Sequence, residues 1–210
     1  MNFVWLKLVK PSIGKLFWTF RVFFVTLWHG FENIPLYLKS KLLFFSDIKR
    51  ALSRLFVNPY RHTYLYGITP LKTFDRILKT FYLEPQSHFV DLGSGDGRLC
   101  QFASIFYHAQ STGLDINKSL IEKAQHLMPK MSFLHQDFLT FDFTTPDFVY
   151  FFATGFQDLE QLQTKFLELK KGAKVVMVSE KLTSNQFCLW KQLTLPFVFG
   201  RANVYCYIRR

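Results

Sequence analysis

Cysteine is scarce in this 210-residue chain: Cys100, Cys188 and Cys206 are odd in number, widely spaced and in no metal-ligand pattern. That excludes a disulfide framework and predicts reduced thiols in a cytoplasmic protein with no structural metal. Acidic residues are few as well, 15 against 26 Lys and Arg. No apolar run reaches the ~20 residues a bilayer-spanning helix needs, and the longest candidate starts too late for a cleavable signal peptide. Internal repeats and low-complexity tracts are missing. Aromatic and apolar residues, by contrast, are plentiful: 49% of the chain is hydrophobic and 26 residues are Phe, ample for a packed core and incompatible with disorder.

The net charge of +11 is unevenly spread. Residues 1–62 hold ten Lys and Arg against Glu32 and Asp47, a net +8, leaving +3 for residues 63–210. A basic surface of this kind suits an anionic membrane or nucleic acid. Within it the thirteen residues Leu16 to Trp28 are broken only by Thr19, Arg21 and Thr26. Two readings stand for this run, a helix lying in the membrane interface with Trp18 and Trp28 near its ends or a helix covering the following domain. Residues 35–57 read as a second helical stretch, with Ser46 and Asp47 as an internal cap. Its Lys and Arg form either phosphate contacts or a solvated face. Asn58-Pro59 breaks it and marks the boundary between a segment 1–62 and a domain 63–210.

From there short apolar strands alternate with helical segments, the pattern of a parallel α/β sheet. A helix is expected over 70–81, and strands over 88–92, 111–116, 131–135, 147–153 and 173–179. Two aromatic, β-prone runs, 187–193 and 203–208, joined by Pro196 and Gly200, close the chain as an antiparallel pair. The fold class is therefore α/β, a Rossmann-like, mostly parallel sheet of seven strands preceded by a helical N-terminal segment.

The segment Asp91-Leu-Gly-Ser-Gly-Asp-Gly-Arg98 carries the chemistry. Gly93 and Gly95, with Ser94 between them, let backbone approach a ligand closely, and Gly97 lets the next helix pack on the sheet. Asp115, at the end of the next strand, is placed to accept both hydroxyls of a ribose. A dinucleotide fold wants G-x-G-x-x-G, whereas here the pattern is G-x-G-x-G behind an aspartate. A carboxylate at that point repels a pyrophosphate but suits an ammonium and a sulfonium. S-adenosylmethionine is the cofactor that carries both.

On these residues the domain 63–210 resembles the class I S-adenosylmethionine-dependent methyltransferases. More narrowly, the glycine motif after a Thr69-Pro70-x-x-x-x-Asp75 helix, Asp147-Phe-Val-Tyr-Phe-Phe-Ala153 and Leu169-Lys-Lys-Gly-Ala-Lys-Val-Val176 resemble the small membrane-anchored protein-lysine methyltransferases of mitochondria and their bacterial relatives. The resemblance implies that Asp91, Gly93 and Gly95 border the methionine part, that Asp115 holds the ribose, and that Ile116, Asp137 and Phe138 flank the adenine. Tyr66 and Thr69, ahead of the first helix of the domain, would close over the cofactor or serve only as turn residues. Asp137 has an alternative role as a cap.

The fourth strand ends Phe151-Phe152-Ala153-Thr154-Gly155. Base-methylating enzymes carry an acid or Asn before Pro-Pro and an aromatic there, so this end speaks against an adenine-N6 or glutamine enzyme. The proline that the lysine family has near this point is absent too. What is left is an apolar, aromatic cleft. Tyr66 and Phe152 are expected to desolvate a lysine amine, and Glu180, after the fifth strand, to orient or deprotonate it or else to pair with Lys181 as a surface charge. Three functions compete: a methyltransferase acting on a protein lysine at a membrane surface, an RNA methyltransferase whose basic N-terminal third reaches phosphates, and a non-enzymatic scaffold that keeps the fold.

Overall fold

The computed structural model describes residues 31, 33–55, 69–197 and 200–210, those of 50–55 by backbone only. The chain forms two compact units, Met1–Lys39 and Ser40–Arg210. In the first, α1 (Ile34–Lys39) starts where the amides of Leu36 and Tyr37 donate to the Asn33 carbonyl at 2.9 Å. The aromatic run 16–28, the Asn58-Pro59 break and Tyr66 lie outside the described residues.

The second unit opens with α2 (Lys41–Leu55). A single stretch capped internally at Ser46-Asp47 is expected from sequence, but the helix starts after Ser40, whose Oγ accepts the Leu43 amide at 3.2 Å. A capping oxygen can serve only amides of the first turn. Ser46 and Asp47 instead lie mid-helix, and their side chains bond to α4 (Arg98–Tyr107).

Seven strands follow: β1 (His88–Leu92), β2 (Gln110–Asp115), β3 (Ser132–His135), β4 (Phe148–Phe152), β5 (Lys174–Val178), β6 (Phe187–Phe197) and β7 (Gly200–Arg209). They form one sheet in the order β3-β2-β1-β4-β5-β7-β6. The first five run parallel to one another, and β7 runs antiparallel to β5 and β6. Helix α3 (Leu71–Thr80) precedes β1, and α4, α5 (Lys118–Leu127) and α6 (Leu159–Lys165) occupy connections between the parallel strands. The Rossmann-like sheet with its closing antiparallel pair is thus as expected.

One detail differs. Pro196, expected in the connection between the last two strands, is inside β6 and opposite Arg201 of β7. Proline donates no ladder hydrogen bond and is tolerated on an edge strand, and β6 is the edge. Its carbonyl is also used, accepting the Thr73 hydroxyl of α3 at 2.6 Å.

Strand alternation divides the apolar residues between two cores. Val90, Leu92, Leu114, Val149, Phe151, Val175 and Met177 pack with Phe143, Leu162 and Phe166 on one face. On the other, Phe74 of α3 stands edge-on to Phe89, Phe102 and Tyr150, with ring centroids 5.8, 5.9 and 5.3 Å away. Burial on both faces explains why β4 reads Phe-Val-Tyr-Phe-Phe with hardly a polar residue. Among the described residues no helix is long and apolar enough to cross a membrane, and no group of side chains is arranged to hold a metal ion.

Phe74 is fully buried at the junction of α3, α4 and the sheet. Phe74→Ala is therefore expected to cost about 3–5 kcal/mol, measured as the loss of unfolding free energy in urea.

Candidate active site

β1 delivers Asp91 to the carboxyl end of the sheet and then turns sharply. Gly93, Gly95 and Gly97 all have positive φ, +75°, +56° and +75°. The turn is anchored to β2, since the amides of Gly93 and Ser94 both donate to the Leu114 carbonyl, at 2.9 and 2.8 Å. A Cβ placed on Gly93 would meet no atom within 4 Å, so that glycine borders open space. A Cβ on Gly97 would lie 2.4 Å from Phe133 and 2.9 Å from Met128. That is the tight packing expected of the third glycine.

Asp115 ends β2, and each of its carboxylate oxygens already accepts a backbone amide. Oδ2 takes Gly95 N–H at 2.9 Å and Oδ1 takes Asn117 N–H at 2.8 Å. The same side chain therefore braces the glycine turn and retains lone pairs for a diol. Ile116 beside it is 53% exposed, an uncovered apolar surface at the strand end. Asp137 caps the 3-10 turn Phe138–Thr140 by accepting the Leu139 amide at 2.9 Å. Phe138 packs against Phe151 and Phe156, with centroids 5.3 and 5.4 Å away.

Asp91 is the electrostatic anomaly. It is buried, and no described residue gives its carboxylate a hydrogen bond or an ion pair. Desolvation, and then the negative charge of Asp115, hold its carboxyl well above the usual carboxylate range. Tyr150 is opposite it on β4, and burial and the charge of Asp91 push that phenol upward. The Tyr150 hydroxyl shares a 2.7 Å hydrogen bond with Thr69.

On the other side of β1 the ends of β4 and β5 form a second rim. Phe152 stacks edge-on with Phe197 at 5.5 Å, and Thr154 donates to the Ser179 hydroxyl at 2.8 Å. Ser179 has φ +75°, a left-handed conformation uncommon in a residue with a side chain. Glu180 is half-buried and has no ion pair among the described residues. Lys181, the partner considered for it, has its ammonium 5.2 Å over the Tyr205 ring.

Chain order changes direction between β1 and β4, and in open α/β sheets ligands bind at such a point, outside the carboxyl ends of the strands. Asp91, the glycine turn, Asp115, Ile116 and Phe138 lie on the β1–β3 side, and Phe152 and Glu180 on the β4–β5 side. Ser94 differs from a contact residue in one respect: its hydroxyl is buried without a partner, and a Cβ on Gly113 would sit 2.6 Å from it. Sequence reasoning missed Gly113, Tyr150, Thr154 and Ser179. Only Tyr150 left a trace, as the one hydroxyl in an otherwise apolar fourth strand.

Residues 89–173 match a family described as a methyltransferase domain. The chain thus matches a methyltransferase domain over the segment from β1 to the start of β5. Among solved structures, the fold is similar to an RNA methyltransferase from Salinibacter ruber in complex with S-adenosyl-L-homocysteine, at 23% identity and TM-score 0.56 over 68% of this chain and 93% of that one. It is also similar to geranyl diphosphate C-methyltransferase from Streptomyces coelicolor, at 11% identity and TM-score 0.58 over 67% of this chain and 76% of that one. A tRNA methyltransferase from Bacillus subtilis aligns at 15% identity and TM-score 0.54 over 63% and 65% of the two chains. Likenesses this remote establish the fold. A search of curated proteins by sequence found no match.

The donor set at this site fits S-adenosylmethionine. A buried carboxylate lacking a partner suits an ammonium, an anchored carboxylate suits a ribose diol, and Ile116 and Phe138 offer apolar surface for a base. The unmet charge of Asp91 also has a consequence for stability. Its folded pKa is raised, so the native state binds the extra proton, and the stability linked to that proton is present below the unfolded pKa and lost as pH rises through the folded pKa. At neutral pH Asp91→Asn is expected to raise the melting temperature of the ligand-free domain, about 2–4 °C for each 1 kcal/mol recovered. In calorimetry the same variant is expected to bind S-adenosylmethionine at least tenfold more weakly.

Proposed function

We propose that this chain transfers a methyl group from S-adenosylmethionine to the amine of a protein lysine. The observation that carries the reading is the β4–β5 rim, where aromatic rings and a hydroxyl pair stand instead of an acid-Pro-Pro arrangement. Bound at the glycine turn, the cofactor supplies an electrophilic methyl group on a sulfonium. Asp91 holds the ammonium of its methionine part, Asp115 the ribose hydroxyls, and Ile116 and Phe138 the adenine faces, with the Asp137 cap fixing the position of Phe138.

Lysine attacks only as a neutral amine, and methyl transfer is an in-line displacement that depends on position and dryness. Phe152 disfavours the ammonium by desolvation, the role also proposed for Tyr66. Thr154 and Ser179 present oxygens that accept the N–H bonds of the amine and turn its lone pair toward the methyl carbon. Glu180 takes the proton that the methylated nitrogen sheds. Thr69, through Tyr150, steadies the strand beside Asp91.

The N-terminal segment 1–62 acts as an address, directing a cytoplasmic enzyme to an anionic membrane surface. Leu42 and Phe45 on α2 are 60% and 59% exposed beside Lys41 and Lys49, a combination suited to an interface. An RNA substrate is the second reading, favoured by the net +8 of that segment. Labelled-methyl transfer to cell lysate separates the two. Label removed by protease, resistant to nuclease and lost in Asp91→Ala is the expected result. Label removed only by nuclease assigns the substrate to RNA.

A further inference from the structure

The matched methyltransferase region begins at residue 89, yet the helix that grips its cofactor loop comes much earlier in the chain. On α2, Leu43 and Ser46 are buried and the Asp47 side chain is 9% exposed. Asp47 receives a forked hydrogen bond from Arg98, with Nε at 3.0 and 3.2 Å from its two oxygens and the terminal nitrogen at 2.7 Å. One turn along α4, Gln101 accepts the Ser46 hydroxyl at 2.8 Å. Arg98 is the first residue of α4 and follows directly on Gly97. On the other flank of that glycine, Asp96 is buried and lies 3.6 Å from the Lys123 ammonium of α5. Both charged residues beside Gly97 are thereby tied to neighbouring helices.

A turn with three glycines at positive φ has more conformations to lose than a glycine-free loop of its length. If it were loose, every cofactor encounter would carry the cost of ordering it, and holding the bound shape in advance improves affinity. A planar guanidinium received by both carboxylate oxygens fixes direction as well as distance, which an ammonium does not. The pair fixes the start of α4 and, with it, the end of the glycine turn.

We propose that Asp47 is a positioning residue for cofactor binding: by holding Arg98 it sets the Gly93–Gly97 turn, so that cofactor affinity in this chain depends on a helix preceding the methyltransferase-domain match. The proposal rests on the assignment of that turn to S-adenosylmethionine. Removing one member of a buried pair strands the other's charge and can unfold the domain, whereas replacing both by apolar residues is often neutral for stability. The decisive variant is therefore the double change Asp47→Leu with Arg98→Leu in the full chain, beside Asp47→Asn, Asp47→Glu and the remote control Lys170→Met.

S-adenosylhomocysteine binding by calorimetry and thermal melting are measured on each. The double variant is expected to melt near wild type and to bind tenfold or more weakly, Asp47→Asn to bind weakly, Asp47→Glu to recover part of the affinity, and Lys170→Met to bind like wild type. In turnover the loss is expected in KM for the cofactor, with kcat retained. Wild-type affinity in a folded double variant overturns the proposal alone. No binding by wild type itself overturns the cofactor assignment and the proposal with it.

Discussion

A carboxylate buried where its charge is unmet is the constraint from which the rest of the site follows. Asp91 points from β1 into the face lined by Phe74, Phe89 and Tyr150, next to a second carboxylate on Asp115. Water would stabilise it far better than this environment does. Such a group weakens the ligand-free fold and becomes favourable only when a cation arrives. The surrounding architecture keeps that cost tolerable: β1 is central in the sheet, β2 and β4 flank it in register, and the Thr69–Tyr150 hydrogen bond steadies the opposing strand.

Asp115 illustrates how few groups carry the turn. Its two oxygens accept the amides of Gly95 and Asn117, linking the glycine turn, the end of β2 and the start of α5. The ion pairs of Asp96 and Arg98 extend this to α5 and α2. Positive-φ glycines give the backbone its shape, and charged neighbours keep it there. The aromatic content has a parallel logic, because a sheet covered on both faces needs two sets of large side chains. Phe138, Phe151 and Phe156 serve one face and Phe74, Phe89 and Phe102 the other.

Much of this was legible in the sequence. The glycine spacing, the aspartate ahead of it and the acid at the end of the next strand are local features, and local features survive in a linear reading. Short apolar runs set between helical segments likewise located the strands to within a few positions. Ser46-Asp47 was misread because an Asx or Ser residue looks the same whether it caps a helix or projects from its middle to a distant partner. Pro196 was misread because nothing local marks β6 as an edge. Thr154 and Ser179 carry no motif, and they meet only because β4 and β5 are adjacent.

By itself, then, the sequence determined the fold class, the glycine turn and the pair of acids that suit S-adenosylmethionine, since each depends on spacing within about thirty residues and on the alternation of apolar strands with helical segments. The tertiary structure alone decided which side chains share the site and which hold it. Asp47 reaches Arg98 across 51 positions and Thr69 reaches Tyr150 across 81. Contacts at such separations depend on how helices pack on a sheet, and packing is a property of the assembled fold that no stretch of chain encodes alone.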